Sequence, residues 1–316
     1  MNSLNDLRRG VQDSVVSTLT GLFSHGPTPL EHTLDYPGDP GLLGPDSVSW
    51  RVVGDAAVFI GGIRALVVQS AHAEVVAGVE DHSTYRVDPL GRLSRTAYYV
   101  TETTYGAMPE VEAAVAGVRV AHRPVVGTSE RGRPYSAGRP DMAAWVHNVL
   151  TDSFLAAYQA FGPEPLSTAD ADHYVAEQSR VGELLGADPL PQTAADLREW
   201  IVTHPDIERT KGQQNAIEFL SNPPLAPHIR VAYRLLYNAA VTTIPASLTK
   251  QLGVRAPRCS ADIGTNATRG LRWALGASPA WKISLERCGA PIPPGTFRAD
   301  RRPRPGEAEF ASDPGA

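Results

Sequence analysis

Arg92-Leu93-Ser94-Arg95-Thr96 brings two guanidiniums and a hydroxyl into five consecutive residues. Such a group can hold anionic oxygens or polarise a bound ligand, because a guanidinium stays charged and donates in a fixed fork; a solvated surface loop has the same composition. Further along, Val111, Val115, Val118 and His122 stand at relative positions 0, 4, 7 and 11. At about 100° per residue they fall within about 60° of arc on one helix face. The spacing predicts His122 on a buried stripe. An imidazole there either hydrogen-bonds a backbone carbonyl or offers a neutral nitrogen to a metal ion or haem iron.

Two further groupings qualify. His147, Leu150, Phe154 and Tyr158 share one face of a helix that also carries Trp145, so His147 either lines the same cavity or is a hydrogen-bonded core residue. His72, Asp81 and His82 supply two imidazoles and a carboxylate, the set used by non-haem iron oxygenases. The ten positions between those histidines match no metal-site spacing, and loop or helix-end contacts are the plainer role. The chain carries no Gly-x-Gly-x-x-Gly loop, Walker loop, Gly-x-Ser-x-Gly elbow or His-Glu-x-x-His pair, so nucleotide and hydrolase chemistries lose their usual signatures.

The elements that must position these residues read as helices. Pro and Gly divide the chain into segments of helical period, and no stretch alternates as a strand between hairpin turns. Leu4, Leu7, Val11, Val15, Leu19 and Leu22 make residues 2–23 amphipathic. That helix packs against the body, with membrane-surface contact the lesser alternative because its polar face is poor in Lys and Arg. Asp46-Ser47 caps helices running to Ala71 and on to Val79, and Arg92 to Tyr105 follows. Pro109 sits in the first turn of a helix reaching His122, residues 127–138 form a loop, and Pro140-Asp141 opens a helix through Phe161. Later helices are expected from Thr168 to Leu185, Thr193 to His204, Asp206 to Leu220, His228 to Leu252 with a kink at Pro245, and Thr268 to Cys288 with a break near Pro279. The fold class is all-α: one compact multi-helix domain over residues 1–290, and a disordered tail over 291–316, where Pro, Arg, Gly, Asp and Glu replace large apolar residues.

The 316 residues, 42% hydrophobic and 20% charged, suffice for a core large enough to enclose a prosthetic group. A net charge of -5 with scattered arginines leaves no footprint for nucleic acid. Cys259 and Cys288 give neither a disulfide framework nor a Cys-x-x-Cys-His haem attachment site, and Gly10-Val11-Gln12-Asp13-Ser14 after Arg8-Arg9 breaks any twin-arginine export signal. The expected location is therefore the cytoplasm. The most apolar stretch, Ala56 to Ala71, is interrupted by Gly61, Gly62, Arg64 and Gln69 and predicts a buried core helix, not a membrane span.

Taken in order, Gly41-Leu42-Leu43-Gly44, Ser49-Trp50-Arg51-Val52, His72, His82-Ser83, Arg92-x-x-Arg95-Thr96, Tyr105-Gly106, Val118-Arg119-x-x-His122, Gly127, Tyr135-x-Ala137 and Trp145-Val146-His147 form a series. The series resembles the catalytic domain of the MpaB-type and rubber-oxygenase family, over about residues 38–250. In that family the histidine after Val-Arg is the axial ligand of non-covalent haem b, so the resemblance implies haem iron as cofactor, dioxygen as co-substrate and His122 as metal ligand. It implies Arg92, Arg95 and Thr96 as the catalytic set; the expected cofactor-binding set is Arg92, Arg119 and His122 with His147, the last read from its helix face. Where rubber oxygenases have a lysine this chain has Arg95, which cannot coordinate iron as a deprotonated amine can. Their distal glutamate has no counterpart either, which argues against rubber cleavage. The expected activity is a haem-dependent oxygenase acting on an apolar, isoprenoid or unsaturated small molecule. A haem carrier or sensor without turnover, a cofactorless helical interaction protein and a non-haem enzyme using His72, His82 and Asp81 are the alternatives.

Overall fold

Helical period and local capping decide most of this chain's elements. The computed structural model describes residues 2–291, and the expected tail beyond Pro291 lies outside them. Ser47 caps helix α2 (Val48–Gly54) by accepting from the Trp50 amide at 3.3 Å. Helix α1 (Asn2–Phe23) precedes it, and α3 (Val58–Gln69), α4 (Ala73–His82), α5 (Pro89–Tyr105) and α6 (Met108–His122) follow. Then come α7 (Pro140–Phe161), α8 (Thr168–Leu185), α9 (Ala194–Val202), α10 (Lys211–Ser221), α11 (Pro227–Thr242), α12 (Ala246–Leu252), α13 (Ser260–Leu275) and α14 (Pro279–Cys288). Pro in the first turn of α5, α6, α7, α11 and α14 costs no hydrogen bond there, because that N–H has no helical partner anyway.

The fold is helical as expected, and the elements depart from the expected ones at a few places. Residues 127–138 were expected as a loop; β1 (Val126–Thr128) and β2 (Pro134–Ser136) instead pair antiparallel with Gly127 opposite Tyr135. Strands of three residues are too short to show alternation, and the hairpin is held from outside: the Tyr135 hydroxyl bonds Asp81 and Arg131 reaches Glu74, Asp206 and Glu208. The kink at Pro245 is a full break between α11 and α12, and α13 begins at Ser260, ahead of the expected Thr268.

The core lies between α3 and α7, whose contact is the most extensive in the molecule. Gly61 permits it, because a Cβ there would come within 2.6 Å of Phe154 Cδ1. Val67, Val68, Trp145, Val149, Tyr174, Leu197 and Ile201 fill the space between α3, α7, α8 and α9. Helix α11 packs on α3 and α13, α1 on α13 and α5, and α6 against α5 and α8. A smaller core joins Leu30, Trp50, Tyr105 and Leu285, so α14 seals the end where α2 meets α5. Among the described residues no single helix is long and apolar enough to cross a membrane. The apolar stretch expected as a core helix is α3, with Ile60, Val67 and Val68 fully covered.

Candidate functional site

The geometry of the α5–α6 pair is set by a two-residue link, Gly106 and Ala107. Asp88 caps α5, accepting from the Gly91 amide at 2.9 Å, and Gly106 ends it with its amide 2.8 Å from the Glu102 carbonyl. The carboxylate of Glu110 then accepts from the Ala107 amide at 2.8 Å, which starts α6. So short a connection folds α6 back along α5. Arg92 stands 13 residues before Tyr105 and His122 stands 14 after Met108, so each lies about 20 Å from the turn at a rise of about 1.5 Å per residue. The two side chains therefore share the far end of the pair, and the charge of Arg92 reaches the imidazole.

His122 is not on a buried stripe throughout. Val111 and Val115 are buried, Val118 is half-buried and His122 is exposed. Yet surrounding protein lowers the proton affinity of the ring, and the Arg92 guanidinium lowers it further. The ring is therefore open to solvent on one side and close enough to protein and to the Arg92 charge on the other to favour its neutral form. Arg92 behaves alike: it is half-exposed, and burial pushes its pKa down. Its Cζ lies 6.0 Å from the centroid of the Tyr85 ring. Among the described residues neither the His122 ring nor the Arg92 guanidinium has a hydrogen bond or ion pair. Tyr99 adds a buried hydroxyl without a partner on the same helix.

The other expected residues divide. Arg95 is exposed and turned to the α4–α5 linker, 3.4 Å from Asp88 and 3.3 Å from the Thr84 hydroxyl. The Thr96 hydroxyl donates to the Arg92 carbonyl at 3.1 Å. Arg119 lies against the C-terminal end of α8, its Nη2 3.6 Å from where a Gly186 Cβ would stand, where the helix dipole favours a cation. His147 has the contacts of a core histidine: it is buried, with Nε2 2.8 Å from the Gln178 carbonyl and a pKa lowered to about 4 by burial. A Cβ on Gly182 would come within 2.9 Å of its Cδ2, so α8 closes over the ring.

The grouping of His72, Asp81 and His82 is corrected by the structure. Asp81 accepts from Tyr135, His82 Nε2 lies 3.1 Å from the Val126 carbonyl, and His72 stands elsewhere. His72 caps α4 and meets His204 and Asp206, with one nitrogen or oxygen of each within 4.8 Å of the others. An antiparallel bridge between His72 and Ile207 brings the two segments together beside a cavity of about 150 Å³ that Arg133, Arg139 and Asp141 also line. His72 Nδ1 already accepts from the amides of Glu74 and Val75 at 3.2 and 3.4 Å, and His204 Nδ1 from the Asp206 amide at 3.3 Å. Each neutral ring therefore carries its proton on Nε2, the nitrogen a metal would need, while Arg131 and Arg133 bond the Asp206 carboxylate. The ligand types are present but their protons and partners are those of a satisfied network. The His-Pro-Asp run of residues 204–206 was the only sequence signal of this cluster, and its pairing with His72 has none.

The fold is mainly helical, and its α5–α6 pair carries an imidazole and a guanidinium that have no hydrogen-bond or ion-pair partner among the described residues. Residues 50–277 match the family model described as ER-bound oxygenase mpaB/B'/Rubber oxygenase, catalytic domain, and the chain belongs to that family. It is thus an oxygenase-type catalytic domain. Comparison with curated proteins finds no match, and comparison with solved structures finds none either.

Proposed function

We propose that this chain is a haem-b-dependent oxygenase that uses dioxygen on an apolar small molecule, with prenylated or polyunsaturated compounds as the substrate class. The observation that carries the reading is that His122 and Arg92, both without partners, stand near each other at the open end of the α5–α6 pair in an oxygenase-family chain. The residues suit the group: a neutral imidazole is the form that ligates iron, and an unpaired, partly desolvated guanidinium suits a propionate carboxylate. Haem, when bound, supplies the redox centre at which dioxygen reacts. His122 holds the group from α6, Arg92 fixes its orientation from α5, and the surrounding protein limits water. Arg95 and Thr96 stand beside Arg92 and each would have to leave its present partner to take part. Arg119 can contribute charge from the α8 side, and His147 is not retained. Leu93, Val120 and Val126 are exposed at the same end of the helix pair, an apolar margin suited to an apolar substrate.

The test is the absorption spectrum of purified wild type and His122→Ala, with haem quantified against protein. A Soret band with near-stoichiometric haem, lost or shifted in the variant, is expected. Wild type that stays haem-free after reconstitution with haemin overturns the axial-ligand assignment. Iron without a Soret band would move the assignment to His72, His204 and Asp206. Red protein that consumes no oxygen would mark a carrier, and colourless, stable, metal-free protein an interaction module.

A further inference from the structure

We infer that the hydroxyl of Tyr99 donates a hydrogen bond to an oxygen acceptor of the group held against His122, which makes Tyr99 a further ligand-binding residue. The inference rests on the haem reading above. Tyr99 follows Arg92 by seven residues on α5, two helical turns less about 20°, so both side chains leave the same helix face. Counting from the turn, Tyr99 stands 6 residues before Tyr105, level with Ala114 and Val115, which are 6 and 7 residues beyond Met108 and are both buried. It therefore lies about halfway along the pair, between the turn and the open end that carries Arg92 and His122.

The hydroxyl is wholly covered and has no partner in the protein. Folded proteins rarely leave a buried hydroxyl unpaired, because it has given up water without gaining a replacement. Thr103, the next residue on that face, offers nothing: its hydroxyl donates to the Tyr99 carbonyl at 2.8 Å. Of the buried side-chain atoms without partners among the described residues, this is the one on the face of Arg92: Glu102 Oε2 on the same helix lies about 80° further round, those of Trp50 and Trp281 lie near α14, and those of Arg64, Tyr174 and Gln213 lie on α3, α8 and α10. An oxygen brought in by a ligand is the missing acceptor.

The experiment titrates haemin into the full-length apoprotein, wild type and Tyr99→Phe, and measures thermal unfolding of both apoproteins. The phenylalanine keeps the ring and removes only the orphaned hydroxyl. The expected result has opposite signs in the two states: apoprotein as stable as wild type or more so, and haemin bound about fivefold or more weakly. The same titration with haemin dimethyl ester assigns the acceptor. If the difference between the proteins shrinks, the acceptor is a propionate carboxylate, whose charge the ester lacks; if it is unchanged, the acceptor is an oxygen other than a propionate carboxylate. A Tyr99→Phe apoprotein that unfolds several degrees lower shows that the hydroxyl has a protein partner, and overturns the inference. Equal haemin affinity overturns it while leaving the haem reading intact. A wild type that binds no haemin overturns both.

Discussion

A histidine is inert or available according to what its two ring nitrogens already hold, and this chain carries both kinds. His147 is spent on a backbone carbonyl inside the core, His72 and His204 are spent on backbone amides, and His122 alone of these four has neither nitrogen engaged. Burial gives His147 a measurable signature, since its pKa of about 4 lies below the ordinary 6.5. Between those values the unfolded chain binds a proton that the folded chain refuses. Its contribution is therefore complete above about pH 6.5 and is lost progressively as pH falls through about 4. From about pH 8 to about pH 5 this group should cost about 2 kcal/mol of stability. Urea midpoints of wild type and His147→Asn at both pH values check it: the variant should show a shallower pH dependence, and parallel curves would refute the assignment. Arg95 shows the limit of motif reading at this scale. Its side chain is tied to Asp88 at the α4–α5 linker, so proximity in sequence to Arg92 does not give it the same role.

At the scale of elements, one close contact and one buried charge pair organise the molecule. Gly61 lets α3 approach α7 to the point where Phe154 fills the place of a side chain. One turn along, Arg64 lies wholly buried with Nη2 2.7 Å from Asp152 and Nη1 2.7 Å from the Ser153 hydroxyl. Such a pair adds little net stability when intact, because both charges are desolvated, but removing one partner leaves the other buried and uncompensated. Asp152→Ala should therefore cost about 3 to 5 kcal/mol, read as a lowered denaturation midpoint. A loss below about 1 kcal/mol, the range of exposed pairs, would show that Arg64 escapes to solvent. The α5–α6 pair is a different device. Its closed end is fixed by the Gly106 turn and the Glu110 contact, and its open end carries the unpaired groups. Rigidity at one end and accessibility at the other suit a binding wedge.

For the whole molecule, the family match ends at residue 277, yet the fold does not. Helix α14 covers Trp50 and Tyr105 with Leu285 and Trp281, and the buried Arg287 donates to the Asp39 carbonyl at 2.8 Å and the Tyr105 carbonyl at 2.7 Å. A chain ending at Ala277 should lose several kcal/mol, on the order expected for uncovering the large side chains of Trp50 and Tyr105, seen as a lower urea midpoint with red-shifted tryptophan emission. An unchanged midpoint would make α14 an ornament. By itself the sequence determined the helices and their ends, because period and caps are local: Ser47, Pro109, Pro140 and Thr193 act within one turn of their own backbone. It also carried the family, through the order of short motifs around Arg92 and His122. Contacts between distant segments were beyond it. The hairpin at residues 126–136 depends on Asp81, Glu74 and Asp206. The start of α10 slips to Lys211 because residues 206–208 are drawn alongside 71–73. Helical arithmetic gave the direction of His122 from its own axis, but only packing decided that its ring stays exposed, that the charge of Arg92 reaches it, and that the Tyr99 hydroxyl further along α5 is left without a partner. Facing is a property of one helix; enclosure belongs to the set of helices around it.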